Sequence, residues 1–83
     1  MSQQIEDYIV THIAERRGIA EGEVDRQADM FENGYIDSLA VFNMILLLEE
    51  RFGVRLTEQT LVDPSIYTVH GLAATIGRQI AGT

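Results

Sequence analysis

One apolar segment in the middle of the chain limits what the chain can fold into. Every residue from Leu39 to Leu48 is apolar except Asn43, and charged residues followed by Gly53 come after it. A segment of this length with a glycine behind it is typical of a helix, which we expect to run from Ser38 or Leu39 to Phe52. The segment falls far short of the roughly 20 residues that a membrane span needs, so no bilayer crossing is predicted.

The helical period assigns faces to this segment. The predicted core positions are Phe42, Ile45, Leu48 and Phe52, with Val41 near their edge. The residues predicted towards the opposite side are Ala40, Asn43, Leu47 and Glu50. Three consecutive leucines at 46 to 48 cannot all face inward, so at least one is expected to be exposed, first Leu47 and then Leu46.

Three other segments carry helical signals. An amphipathic helix is predicted from about Gln3 to Arg17, ended by Gly18, with three inward isoleucines: Ile5, Ile9 and Ile13. Arg16 and Arg17 suit the negative end of its dipole. A short helix is predicted from Thr57 through Val62, and Pro64 cannot easily continue it. A last helix, capped by Thr68, is predicted from Val69 to about Ile80, with Val69, Leu72, Ala73, Ile76 and Ile80 inward.

Residues 19–37 lose this periodicity but keep spaced apolar residues. This pattern indicates an ordered loop attached to the core at those points, and Asp29 is expected to cap a short turn within it. The predicted fold class is therefore all-α. It is a four-helix bundle with three longer helices, one short helix and a long loop between the first and second helices.

Size and charge narrow the function. The 83 residues are expected to form a single domain, residues 1–83. Thirteen acidic residues against six arginines and no lysine give a net charge of -7, which argues against nucleic acid as a partner. On charge alone, docking to basic partners and plain solubility are equally good explanations. The N-terminus lacks the features of a secretory signal, so a cytoplasmic location without membrane association is expected.

The chain contains no cysteine. Disulfides, thiolate metal sites and a protein thiol nucleophile are therefore excluded. Any thioester chemistry needs a sulfur atom from a prosthetic group.

Ser38 stands at the start of the long apolar helix, after the turn-forming Gly34 and directly after Asp37. The unpaired N–H groups and the positive dipole end of a helix N-terminus favour a phosphate by about 0.3 to 1 kcal/mol in solvent. Taken alone, the Asp37-Ser38 pair is better explained by capping, because both residue types are preferred N-caps.

The wider context changes this interpretation. Asp29-x-Phe31-x-x-Gly34-x-x-Asp37-Ser38-Leu39 is followed by Phe42, by Glu49-Glu50-x-Phe52-Gly53 and by Val54-x-Leu56. In order and spacing this segment resembles the middle of the acyl and peptidyl carrier proteins, which bind phosphopantetheine. The helix plan is similar over nearly the whole chain.

The resemblance implies a cofactor and partners. Ser38 would receive 4'-phosphopantetheine from coenzyme A through a separate phosphopantetheinyl transferase that uses magnesium, and Asp37 would help to position that metal. The arm would carry thioesters from an acyl- or aminoacyl-activating enzyme to a downstream synthase or transferase in biosynthesis. The protein would be a monomer without a catalytic role, and acyl, aminoacyl and peptidyl cargo remain open.

The second helix indicates one type of carrier within this family. Carriers of the fatty-acid type have acidic residues soon after the serine, whereas Ala40 and Asn43 stand at the matching positions. An apolar contact surface, similar to that of carriers serving peptide synthetases or aminoacyl-loading enzymes, fits better. The segment from Asp63 to Val69 also resembles small freestanding carriers of that kind. The residues predicted to contact partners are Leu39, Ala40, Asn43, Leu46, Leu47 and Ile66.

Two other functions remain open. A non-enzymatic helical adaptor would bind a partner through the second helix, with Ser38 only a cap. A hydrolase that uses Ser38 is disfavoured, because neither His12 nor His70 lies in a nucleophile or metal-ligand motif. The carboxylates of the long loop lack the spacing of a calcium loop, so no metal site and no catalytic residue are predicted. These carboxylates are Glu21, Glu23, Asp25, Asp29 and Glu32.

Overall fold

The computed structural model describes residues 2–82, apart from the side chains of Ser2 and Ser38. Four α-helices run through this part of the chain: α1 (Ser2–Arg17), α2 (Ser38–Phe52), α3 (Glu58–Leu61) and α4 (Val69–Gly82). Two 3-10 turns, Glu21–Glu23 and Pro64–Tyr67, lie between them. The described part has no β-strand. The predicted all-α bundle of three longer helices, one short helix and a long loop is confirmed.

The helices begin and end within two residues of the predicted positions, and local signals mark several of these ends. Gly18 after α1 and Gly53 after α2 adopt φ angles of 69° and 68°, the left-handed region that glycine enters without a Cβ penalty. Thr68 Oγ1 accepts a hydrogen bond from the Gly71 N–H at 2.9 Å. Thr68 therefore caps α4, as predicted.

The core is formed jointly by α1, α2, α4 and the long loop. Its largest fully buried side chains include Ile5, Ile9, Ile13, Met30, Met44, Leu48, Leu72 and Ile76. The predicted inward residues of α1 and α4 are buried, except that Ile80 is only partly buried. The amphipathic patterns of these two helices therefore identified their buried faces correctly.

The predicted facing of α2 is partly wrong. Phe42, assigned to the core, is 58% exposed, whereas Ala40, assigned to the opposite side, is buried. The buried side chains of this helix are Ala40, Val41, Met44, Ile45 and Leu48. Because nearly every position of α2 is apolar, hydrophobicity alone does not distinguish its two faces. The small Ala40 and the flexible Met44 are buried in the core, whereas the large ring of Phe42 is exposed.

The long loop is attached to the core at Val24, Met30 and Ile36, which are all buried. The Met30 N–H donates to the Tyr67 carbonyl at 2.8 Å, which joins the loop to the second 3-10 turn. Just before it, Asp29 Oδ1 accepts hydrogen bonds from the backbone at residues 31 and 32. The expected ordered loop and its Asp29-capped turn are both confirmed.

A polar cluster ties the loop to α1 and α4. Glu6 accepts from Arg26 Nη1 at 3.2 Å and lies 3.1 Å from His70 Nδ1, and its side chain is only 12% exposed. Arg26 Nη2 also donates to Asp7. Burial disfavours the charged guanidinium, but its bonds to Glu6 and Asp7 outweigh this and raise the pKa of Arg26. Arg26 of the loop therefore covers the Glu6 carboxylate.

The N-terminal turn of α4 crosses the second 3-10 turn at Gly71. A Cβ atom at this position would lie 2.9 Å from the Ser65 carbonyl carbon and closer still to its oxygen. Real Cβ atoms do not approach backbone atoms so closely, so the crossing needs glycine.

We predict that Gly71→Ala lowers the free energy of unfolding by about 1 to 3 kcal/mol, because the backbones must move apart. Gly77→Ala is the matched control in the same helix, since its added Cβ would meet only Ile5 Cδ1 at 4.0 Å. The control should be neutral or stabilising by up to about 1 kcal/mol through helix propensity. Urea unfolding measures both, and equal losses would contradict the role of the crossing.

Candidate functional site

Asp37 caps the N-terminus of α2. Its Oδ1 accepts a hydrogen bond from the Ala40 N–H at 2.8 Å, and its carbonyl accepts from the Val41 N–H at 2.9 Å. Asp37 is therefore the N-cap and Ser38 is the first residue of the helix. The Ser38 hydroxyl lies outside the described atoms. Of the two capping residues that the sequence allowed, the structure selects Asp37.

The backbone just before this cap is held by Met30. The Met30 carbonyl accepts hydrogen bonds from the N–H groups of Tyr35 at 2.9 Å and Ile36 at 3.3 Å. Gly34, with φ of 69°, makes the turn that brings these residues back towards the carbonyl. The Ile36 side chain is buried. The chain therefore enters α2 from a fixed direction.

The Tyr35 hydroxyl adds a second attachment. It accepts from the Asp25 N–H at 3.1 Å and donates to the Glu23 carbonyl at 3.4 Å. These bonds join the residues before Ser38 to a part of the loop about ten positions earlier. Sequence reasoning missed this role, because no local pattern marks a hydrogen bond over that separation.

A surface cleft lies beside the cap. Its volume is about 470 Å³, and it is lined by Arg16, Arg17, Phe31, Gly34, Tyr35, Ile36 and Asp37. Two cationic residues from the end of α1 thus line one depression together with Asp37, the residue before Ser38. The long loop brings these distant parts of the sequence together.

The residues predicted to contact partners divide into two groups. Leu39 is 73% exposed, Leu46 63% and Leu47 40%, and Asn43 is also exposed. Leu46 is therefore the more exposed of the two leucines, the reverse of the predicted order. Phe42 also belongs to this exposed group, although the helical period predicts it in the core.

Two of the residues predicted to contact partners, Ala40 and Ile66, do not lie on the surface. The prediction that their side chains face partners is wrong, because both are buried. Ala40 lies on the buried face of α2. Ile66 is turned into the core by the 3-10 turn that begins after Asp63. There the Ser65 N–H donates to Asp63 Oδ1 at 2.9 Å and lowers the pKa of Asp63.

The two histidines have different surroundings in the described structure. His70 faces the Glu6 carboxylate, and His12 lines a separate groove along α1. Within residues 2–82, no three histidines or carboxylates are grouped so as to hold a metal ion. None of the described helices has both the length and the apolar character needed to cross a membrane.

The family comparison agrees with this site. The chain matches the family described as phosphopantetheine attachment site over residues 7–76, which reach from α1 into α4. The chain therefore belongs to the phosphopantetheine-binding carrier protein family, and the resemblance seen in its sequence is confirmed. Its cofactor is covalently bound 4'-phosphopantetheine. A comparison with curated proteins found no match.

The start of α2 has the chemistry that this cofactor needs. The first N–H groups of a helix have no partner within it and favour a phosphate. Leu39, next to Ser38, is exposed, so the helix start is open to a modifying enzyme. Asp37 Oδ2 makes no hydrogen bond to a described residue and is a hard oxygen donor suited to magnesium. The residues around Ser38 therefore fit a phosphodiester.

We predict that Asp37→Ala lowers the free energy of unfolding by about 0.5 to 2 kcal/mol, because the Ala40 N–H loses its acceptor. Asp37→Asn keeps an oxygen at the cap and should lose much less. Urea unfolding at neutral pH measures both variants. If the asparagine variant lost as much as the alanine variant, the carboxylate charge rather than the hydrogen bond would stabilise the helix start.

Proposed function

We propose that this protein carries acyl or aminoacyl groups as thioesters on a 4'-phosphopantetheine arm attached to Ser38, and passes them between biosynthetic enzymes. The family match over residues 7–76, with an Asp37-capped helix start directly before Ser38, is the observation that supports this most strongly. The proposal includes a single carrier domain over residues 1–83. We also propose that it works as a cytoplasmic monomer and has no catalytic role of its own.

Attachment would form a phosphodiester at the Ser38 hydroxyl. Coenzyme A supplies the arm, adenosine 3',5'-bisphosphate leaves, and a separate transferase with magnesium performs the reaction. On this chain, Asp37 Oδ1 keeps the helix start in place through the Ala40 N–H. Its second oxygen is left to face the metal. One carboxylate would thus serve both the fold and the modification.

The absence of cysteine supports a carrier that depends on its arm. A thioester needs a sulfur atom, and the protein supplies none of the thiol kind. The arm supplies the thiol when it is bound, as in other group-carrier cofactors. The protein then needs to present the arm and to be recognised by the enzymes that load and unload it.

We predict that incubation with coenzyme A and a broad-specificity phosphopantetheinyl transferase adds about 340 Da, the mass of the arm. Intact-mass spectrometry measures the gain, which should vanish in Ser38→Ala. Ser65→Ala is the matched control, since Ser65 also lies at the start of an aspartate-capped helical turn, and it should still gain the mass. An unmodified wild-type chain across several transferases would overturn the proposal.

Partner docking is proposed at an apolar stripe on the solvent side of α2, formed by Leu39, Phe42 and Leu46. These three residues are spaced i, i+3, i+7 and are all more than half exposed. No charged residue lies between Ser38 and Leu48, so the contact would be apolar rather than ionic. Asn43 and Leu47 flank the stripe. This surface supports a carrier of the peptidyl or aminoacyl type rather than one with an acidic second helix.

We predict that Leu46→Glu raises the apparent KM of the transferase for the carrier about fivefold or more, as loss of a contact worth about 1 kcal/mol would. Its free energy of unfolding should stay within about 0.5 kcal/mol of the wild type, because the side chain is exposed. Leu48→Ala, from the buried face, should instead cost about 2 to 5 kcal/mol. Circular dichroism and urea unfolding separate the two. A Leu46 variant that unfolds would contradict the facing, and one with unchanged KM would contradict docking.

The same stripe favours a second candidate, a non-enzymatic adaptor that binds a partner helix. An adaptor would not use Ser38 chemically, so Ser38→Asp should preserve its binding. Under the carrier proposal Ser38→Asp accepts no arm and so loses the carrier function. The mass measurement on the wild type, which gains the arm only if the protein is a carrier, therefore distinguishes the two functions.

A further inference from the structure

Two arginines of a strongly acidic chain meet beside the proposed attachment residue. Arg16 and Arg17 are the last residues of α1, and both line the cleft that also contains Asp37. The chain has only six cationic side chains against thirteen acidic ones. Two of the six therefore lie in a cleft that reaches the residue preceding Ser38.

Neither arginine is used by the described structure. Arg26 pairs with Glu6 and Asp7, whereas the guanidinium groups of Arg16 and Arg17 form no ion pair or hydrogen bond with any described residue. The negative end of a helix dipole favours cations, which accounts for arginines in the last turn of α1. The dipole does not account for the long loop folding so that both arginines line a cleft with Asp37.

Attachment of the arm would add a negative charge at this place. The phosphodiester carries one negative charge, on the residue next to the exposed Asp37 carboxylate. Like charges at such short separation repel. Magnesium would offset them only during the transfer. The N-terminus of α2 favours the phosphate, but the segment from Ser38 to Glu50 contains no cationic residue, so any cationic side chain that adds to this effect comes from another element.

We propose that Arg16 and Arg17 bind the phosphodiester of the arm once it is attached, which rests on the proposed attachment at Ser38. Guanidinium groups donate charge-assisted hydrogen bonds to phosphate oxygens and keep their charge at any physiological pH. The phosphate end of the arm is then held at the cleft, and the thiol end remains free. This contact sets the direction in which the arm leaves Ser38.

Coenzyme A offers the same phosphate chemistry while it is bound to the transferase. If the arginines bind phosphates only then, they affect the rate of loading and not the loaded protein. Measurements on the fully loaded carrier therefore distinguish the two sources.

The test compares the wild type with R16Q/R17Q and with R51Q/R55Q. The control pair removes the same amount of charge from arginines outside the cleft. All three proteins are loaded to completion, and intact mass confirms the arm. The ³¹P NMR resonance of the phosphodiester is then recorded in low and high salt, with the urea-unfolded holo protein as the reference for an unbound phosphate. Circular dichroism confirms that each variant is folded, and the single variants R16Q and R17Q are measured alongside.

The proposal expects the ³¹P resonance of the wild type and the control pair to coincide, and to move towards the reference as salt is added. In R16Q/R17Q the resonance should already lie near the reference in low salt. If the resonance is the same in all three loaded proteins, the proposal is overturned. If, in addition, R16Q/R17Q is loaded more slowly than the wild type, the arginines act on coenzyme A during loading instead. A wild-type chain that gains no mass overturns the attachment itself. A mass gain with an unchanged resonance overturns only the role of the arginines.

Discussion

The backbone of Met30 holds the geometry on which the proposed site depends. Its N–H bonds the Tyr67 carbonyl, and its own carbonyl accepts from the two residues before Asp37. Its side chain is fully buried, so the hydrogen bonds form in a place that excludes water. A loop of nearly twenty residues would otherwise be expected to move freely. Attached in this way, it delivers Asp37 and Ser38 to the start of α2 from one direction.

The two faces of α2 have different roles: one packs in the core, and the other is proposed to bind partners. Ala40, Met44 and Leu48 bury one face against the rest of the core, while Leu39 and Phe42 stand on the other with more than half of their surface in solvent. Exposed apolar side chains in a row are costly to solubility and are usually kept for a partner. The net charge of -7 offsets this cost for the free protein.

The arginines have different roles according to where they lie. Arg26 is tied to Glu6 and Asp7 and helps to hold the loop on α1 and α4. Arg16 and Arg17 lie at the cleft beside Asp37, and their guanidinium groups have no partners among the described residues. Arg26 therefore stabilises the folded state, whereas Arg16 and Arg17 are available to bind an anion. Tyr35, whose hydroxyl is bonded to the backbone next to Arg26, also lines this cleft and connects the two regions.

The sequence by itself determined the helix limits to within two residues, the cap at Thr68, the turn at Asp29 and the position of Ser38 at the start of α2. These features follow from neighbouring residues, because capping, glycine turns and helical periods act over a few positions. Only the tertiary structure decided which face of α2 is buried, since an almost wholly apolar helix has no marked side. It also decided the burial of Ile66 and Glu6 and the meeting of Arg16 and Arg17 with Asp37. Those outcomes depend on contacts between segments far apart in the chain, which no local pattern specifies.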